Sequence, residues 1–192
     1  MIRPDDVLSF WFGPASDPEA HQPRDHWFQR DEAFDAACAQ RLTEAHEQAA
    51  KGQLDTWKDE PRSALALVLL LDQVPRNLYR DTARAYATDA QARAVARHAL
   101  ARGLDVPLPP VWRWFFYLPF EHSEDLNDQR LSVSLFELPG RSDAVHTQTA
   151  AYARRHRDII ERFGRFPHRN GALGRESTPE EVAFLQEPNS SF

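Results

Sequence analysis

The chain has 192 residues, with 42% hydrophobic side chains and 23 basic against 29 acidic groups, for a formal net charge of −6. That balance excludes a largely disordered chain, and the acidic charge argues against generic nucleic-acid binding, which needs basic clusters to neutralise phosphates. The longest apolar run, Ala64 to Leu71, falls far short of the roughly 20 residues that span a bilayer, so no membrane association is expected.

One domain over residues 1–192 is expected at this length, and the first residues lack the apolar core of a secretory leader, which points to the cytoplasm. Alanine, leucine and arginine number 26, 19 and 21, against nine valines, three isoleucines and seven threonines. Straight-chain residues lose little rotamer freedom in a helix, so the composition predicts an all-α fold.

A first helix is predicted from Pro4 to Phe12, with Asp5 and Asp6 at its positive dipole end and Gly13-Pro14 stopping it. Asp31 to Lys51 places Phe34, Cys38, Leu42, Ala45 and Ala49 at intervals of three and four, with Gly52 as its cap. Cys38 reads as packing rather than a nucleophile. The next helix begins near Pro61 and is apolar all round from Ala64 to Leu71, the pattern of a buried central helix. Pro75 predicts its end, because proline lacks an N–H and disfavours helical geometry at Val74.

Thr88-Asp89-Ala90-Gln91 fits a capping box that starts a helix running to Arg102, stopped by Gly103-Leu104. Pro109-Pro110 starts an aromatic helix through Tyr117 that Pro119 is expected to interrupt, and Ser123 is expected to cap another reaching about Leu138. Trp112, Trp114, Phe115, Phe116 and Tyr117 read as core, not as a base-stacking surface. A late helix starts after Ser142 and carries Val145, Tyr152, His156, Ile159, Ile160 and Phe163 on one stripe to Gly164. Thr178-Pro179-Glu180-Glu181 combines proline at the first position with a capping box and opens a short helix through about Gln186. Seven or eight helices on short loops imply an antiparallel bundle or an array of helical hairpins.

Three polar stretches follow these apolar segments: Leu71-Asp72-Gln73-Val74-Pro75-Arg76-Asn77, the run Phe115 to Asp125 ending in Glu121-His122-Ser123-Glu124-Asp125, and Arg162 to Asn170. With Leu173-Gly174-Arg175-Glu176-Ser177-Thr178 they resemble the bacterial domain-of-unknown-function 924 family, from Val7-Leu8-Ser9-Phe10-Trp11-Phe12 to Phe184-Leu185. Val74 departs from that pattern, which favours phenylalanine there. The resemblance implies a tetratricopeptide-like stack of helix pairs and carries no catalytic residues across.

The residues themselves set the candidate chemistry. Asp72, Gln73, Arg76 and Asn77 gather at one helix end, where Asp72 and Arg76 either pair, with Asn77 capping the turn, or hold a ligand. Glu121 beside His122 can orient an imidazole for acid–base work, whereas Glu124 and Asp125 read as first-turn residues behind a Ser123 cap. His156 is either a satisfied core histidine or a site residue. His168, Arg169 and Asn170 fall in a loop, and Arg165 with Arg169 can grip a carboxylate or phosphate or else bridge to Glu121 or Asp72. Residues 141–175 hold eight arginines against three acids, which fits either an anion site or internal pairing.

No metal is expected: there is no His-Glu-x-x-His, and Asp143 with His146 is a chance spacing. No cofactor is expected either, since glycine-rich phosphate loops and serine or cysteine nucleophile motifs are absent. The leading expectation is a helical protein binding a small anionic molecule or peptide carboxylate, held by Arg76, Arg165 and Arg169 and oriented by Glu121, His122 and His168. The alternatives are an acid–base, hydrolase-like enzyme using Glu121, His122 and His168, and a protein-interaction scaffold.

Overall fold

The computed structural model describes residues 2–14, 16–138, 144–188 and 190; within them every regular element is helical and there is no strand. Two compact units make up the chain, Met1–Arg80 with Arg84–Pro119, and Asp81–Ala83 with Phe120–Phe192.

In the first unit, α1 (Pro4–Phe12) buries Val7, Leu8, Trp11 and Phe12, and Gly13 ends it at φ +89°, where a side chain would be strained. Phe12 stacks on Trp112 with centroids 4.3 Å apart, and Trp11 meets Phe115 edge-on at 5.9 Å. Helix α2 (Glu32–Ala50) starts at Asp31, whose carboxylate accepts from the N–H groups of Ala33 and Phe34. Its buried face is Cys38, Leu42, Ala45, His46 and Ala49, the expected stripe with Phe34 only half-buried and a histidine set into it.

Helix α3 (Pro61–Val68) is the central buried element: no residue from Ala64 to Leu71 is more than 2% exposed. Pro75 does not end it. The chain widens into a π-helical turn over Leu69–Gln73, with Val74 N–H bonded to Leu69 five residues back, and continues as α4 (Val74–Leu78) with Pro75 in its first turn. The wider turn lets a residue without an N–H enter a continuous helix, and burial of the surrounding apolar side chains outweighs the break that local geometry predicts.

Helix α5 (Asp89–Ala101) ends as expected, with Gly103 at φ +65° and Leu104 N–H bonded to the Ala99 carbonyl. Its expected capping box does not form. The Thr88 hydroxyl donates to the Leu71 carbonyl at 2.5 Å and the Gln91 amide to Ala50 at 3.0 Å, so tertiary partners displace the local ones. Helix α6 (Pro110–Glu121) passes through Pro119 without interruption. A mid-helix proline costs about 3 kcal/mol, and burying two large apolar side chains offsets that amount; Phe115, Phe116, Tyr117 and Phe120 are all fully buried.

In the second unit, α7 (Leu126–Phe136) packs against α8 (Ala144–Phe163). The cap of α7 is Asp125, accepting from the N–H groups of Asn127 and Asp128; Ser123, the expected cap, instead accepts from Asp125 N–H and donates to Asp128. The expected start of α8 after Ser142 and the side chain of Val145 lie outside the described residues. Of its stripe, His156, Ile159 and Ile160 are buried, whereas Tyr152 is 47% exposed. Ile159 and Ile160 join Phe166 and Phe184 in a core cluster with Leu126 and Phe163 packed on it. Helix α9 (Pro179–Phe184) begins with the expected capping box between Thr178 and Glu181.

Candidate functional site

The first polar motif forms a dense network inside the first unit. Asp72 is fully buried on the π turn, where one carboxylate oxygen accepts from the Gln73 amide at 2.6 Å and the other lies 3.4 Å from Arg76. Arg76 also donates to the Asp72 carbonyl and forks onto Asp89 at 2.9 and 3.1 Å. Burial alone would lower the Arg76 pKa, but Asp72 and Asp89 outweigh it and hold the guanidinium above its ordinary value. Asn77 donates to the Gln73 carbonyl at 3.1 Å and accepts from Arg80 at 3.0 Å, while Arg80 grips Asp35 at 2.6 and 2.7 Å. Asp72, Gln73, Arg76 and Asn77 are thus brought together, with the Arg76 fork directed at the protein's own carboxylates.

The other two motifs meet in the second unit around Phe166. His156, on α8, has Nδ1 2.9 Å from the Tyr152 carbonyl and 3.3 Å from Glu121 Oε1, at the end of α6. Both neighbours are acceptors, so Nδ1 carries the hydrogen. Burial pushes the His156 pKa down to about 3 against the opposing Tyr152 carbonyl, and the charges of His122, Arg169 and His168 add to it. The His156 and His168 rings each lie 5.6 Å from Phe166, and the Arg169 guanidinium sits 4.4 Å over the same ring while donating to the His122 carbonyl at 2.9 Å. His156, His168 and Arg169 therefore gather around Phe166, with the Glu121 carboxylate against His156 and the His122 carbonyl on Arg169.

Arg165 forks onto Glu181 at 2.6 and 2.8 Å and donates to the Glu176 carbonyl, so its carboxylate partner is Glu181 rather than Glu121. Glu181 also accepts from Asn170 and from Thr178 N–H. The Arg165 hydrogen bond, outweighing burial and aided by Thr178 and Asn170, carries the Glu181 pKa down to about 2. Asn170 donates to Ser177 and accepts from Arg175. His168 and Arg169 sit not in an open loop but in a 3₁₀ turn, Pro167–Arg169, with Arg169 buried. Glu124 is no first-turn residue of α7: it precedes the cap, accepts from Arg175 at 2.8 and 3.0 Å, and takes the Phe166 N–H at 2.8 Å.

A cleft of about 340 Å³ opens to solvent within the first unit, between α2 and the segment joining α4 to α5. Its polar lining is His46, Glu47, Lys51, Tyr79, Arg84 and Thr88. The floor is tied to the π turn. His46 Nδ1 is 2.8 Å from the Leu70 carbonyl, and the Thr88 hydroxyl reaches the Leu71 carbonyl. Leu70 and Leu71 stand five and four residues before Pro75, so a helix in either register would call on a proline N–H that does not exist. The side chains of His46 and Thr88 supply the missing donors.

With Nδ1–H held by a carbonyl, His46 presents Nε2 as an acceptor, and burial depresses its pKa and keeps the ring uncharged. On the rim, Lys51 lies 3.9 Å from Glu47, while the exposed Arg84 stacks 3.8 Å over Tyr79 and has no carboxylate partner among the described residues. None of His46, Lys51 or Arg84 is singled out by the sequence. The available signals were a histidine set among Leu42, Ala45 and Ala49, and a proline inside an unbroken apolar helix.

Among the described residues no group of three or more His, Cys, Asp or Glu side chains is arranged to hold a metal ion; Asp143 and the side chain of His146 lie outside them. No described helix is long and apolar enough to cross a membrane. A family model described as a bacterial protein of unknown function, DUF924, matches residues 7–189. A solved structure of a protein of unknown function from Agrobacterium tumefaciens is similar, with 45% identity and a TM-score of 0.84 over 95% of this chain and 96% of that one. No curated protein matches.

Proposed function

The chain belongs to DUF924, a bacterial family of unknown function, and we propose that it binds a small anionic ligand in the open cleft of its first unit. The observation that carries this reading is Arg84: a guanidinium on the cleft rim, 3.8 Å over the Tyr79 ring, with Lys51 lining the same cleft. A planar fork on an aromatic face is pre-organised for a carboxylate, and its low ordering cost favours binding. Arg76 and Arg165, by contrast, already fork onto Asp89 and Glu181. Their role in this account is to fix the helices rather than to hold the ligand.

Calorimetric titration with acetate, lactate, citrate and inorganic phosphate tests the reading. At least one anion binds the native protein, and Arg84→Ala weakens it by about tenfold, the loss of one charge-assisted contact. Absence of binding by all four, or unchanged affinity in Arg84→Ala, rejects it.

A second reading, acid–base catalysis in the second unit, is favoured by one observation: Glu121 and the Tyr152 carbonyl fix His156 as an uncharged imidazole with its hydrogen on Nδ1. His122 and His168 would be the other imidazoles of such a site. A hydrolase panel tests this, with activity lost in His156→Gln, His122→Ala and His168→Ala. Equal turnover in all four proteins, or in none, removes it.

A further inference from the structure

The floor and the rim of the cleft have opposite hydrogen-bonding character, and the π turn is the cause. Thr88 commits its hydroxyl hydrogen to Leu71 and His46 commits its Nδ1 hydrogen to Leu70, which leaves the Thr88 oxygen lone pairs and His46 Nε2 as acceptors. The rim carries the Arg84 guanidinium and the Lys51 ammonium, the latter partly neutralised by Glu47. A ligand satisfying both ends carries an anionic group at one end and a hydrogen-bond donor at the other. An ammonium donor would be repelled by the rim cations, whereas a hydroxyl would not.

We infer that the cleft selects hydroxy acids: the carboxylate lies against Arg84 and the hydroxyl donates to His46 Nε2. This rests on the anion-binding reading and adds to it the identity of the second contact. A plain carboxylate of the same size leaves the acceptor of the buried His46 without a donor when it displaces water, so the hydroxyl is discriminated and not merely tolerated.

The test compares lactate with propionate, which differ by that hydroxyl, by calorimetry on the full chain. Lactate binds about tenfold more tightly, the net worth of one hydrogen bond between partners removed from water. His46→Leu loses the preference between the two acids, and His46→Gln, whose amide supplies both a donor for Leu70 and an acceptor for the ligand, retains it. Should His46→Leu not fold, the native protein answers alone: in long-range ¹H–¹⁵N spectra the His46 Nε2 resonance moves on adding lactate and stays still with propionate. Equal affinity for lactate and propionate, or a still Nε2 under saturating lactate, overturns the hydroxy-acid assignment and leaves anion binding standing. Failure of both acids and of the other anions to bind overturns the two together.

Discussion

Replacing Thr88 with valine isolates the coupling between the π turn and the cleft. Valine matches threonine in shape and removes the hydroxyl that reaches the Leu71 carbonyl at 2.5 Å, at a site where Thr88 is buried and Leu71 only 2% exposed. A buried acceptor stripped of its donor costs about 1–3 kcal/mol, against about 0.5 kcal/mol or less for an exposed change of shape. At about 2 kcal/mol, and roughly 2–4 °C per kcal/mol for a chain of this size, Tm falls by about 4–8 °C. Thr88→Ser, which keeps the hydroxyl, shifts it far less.

The decisive comparison repeats the change in a Pro75→Ala background, where the restored N–H offers the Leu70 and Leu71 carbonyls a main-chain donor. There Thr88→Val costs about 1 kcal/mol less, a coupling measured by a double-mutant cycle in urea. An equal cost in both backgrounds would refute the reasoning, because a hydroxyl acting as an ordinary helix cap has no reason to sense residue 75.

Other outcomes follow from the second unit and from α2. Glu181 titrates in the folded protein near 2 rather than in the usual carboxylate range, so the stability it supplies is present above about pH 4.5 and is lost as the pH falls toward 2; urea unfolding over that window shows an acid limb that Glu181→Gln flattens. His156 stays uncharged when folded down to about pH 3, while the unfolded imidazole takes up a proton below about 6.5. Stability therefore falls as the pH drops through that interval, and His156→Gln removes the slope; a slope of equal size in the variant contradicts the assignment. Burial pushes the Cys38 thiol up to about 12, so an aromatic disulfide reagent at pH 8 reacts only at the rate of unfolding, and prompt reaction with the native protein would place Cys38 nearer the surface.

Much of the fold was legible because its signals are local. Gly13, Gly52, Gly103 and Gly164 all take positive φ at helix ends, where a side chain is strained, and the Thr178–Glu181 box closes within four residues. Pro75 and Pro119 misled for the complementary reason: the same local rule predicts breaks there, and burial of the flanking apolar side chains, which no short window contains, overrides it.

The candidate site divides the same way. The motifs Asp72 to Asn77 and Arg162 to Asn170 mark polar helix ends that fit either internal pairing or a ligand, and partner choice is not a local property: Arg76 reaches Asp89, Arg80 reaches Asp35, and Arg175 reaches Glu124 across stretches of 13, 45 and 51 residues. His46 was invisible because its role depends on the Leu70 carbonyl, which the π turn ahead of Pro75 leaves without a main-chain donor.

The tautomer of His46 tests the central claim most directly. In long-range ¹H–¹⁵N spectra of the uniformly labelled protein at pH 7.5, the account predicts an uncharged ring with its hydrogen on Nδ1, held by Leu70, and a bare Nε2 facing the cleft. A ring protonated on Nε2 alone, or one carrying both hydrogens at that pH, would contradict it, since the floor of the cleft would then donate instead of accept.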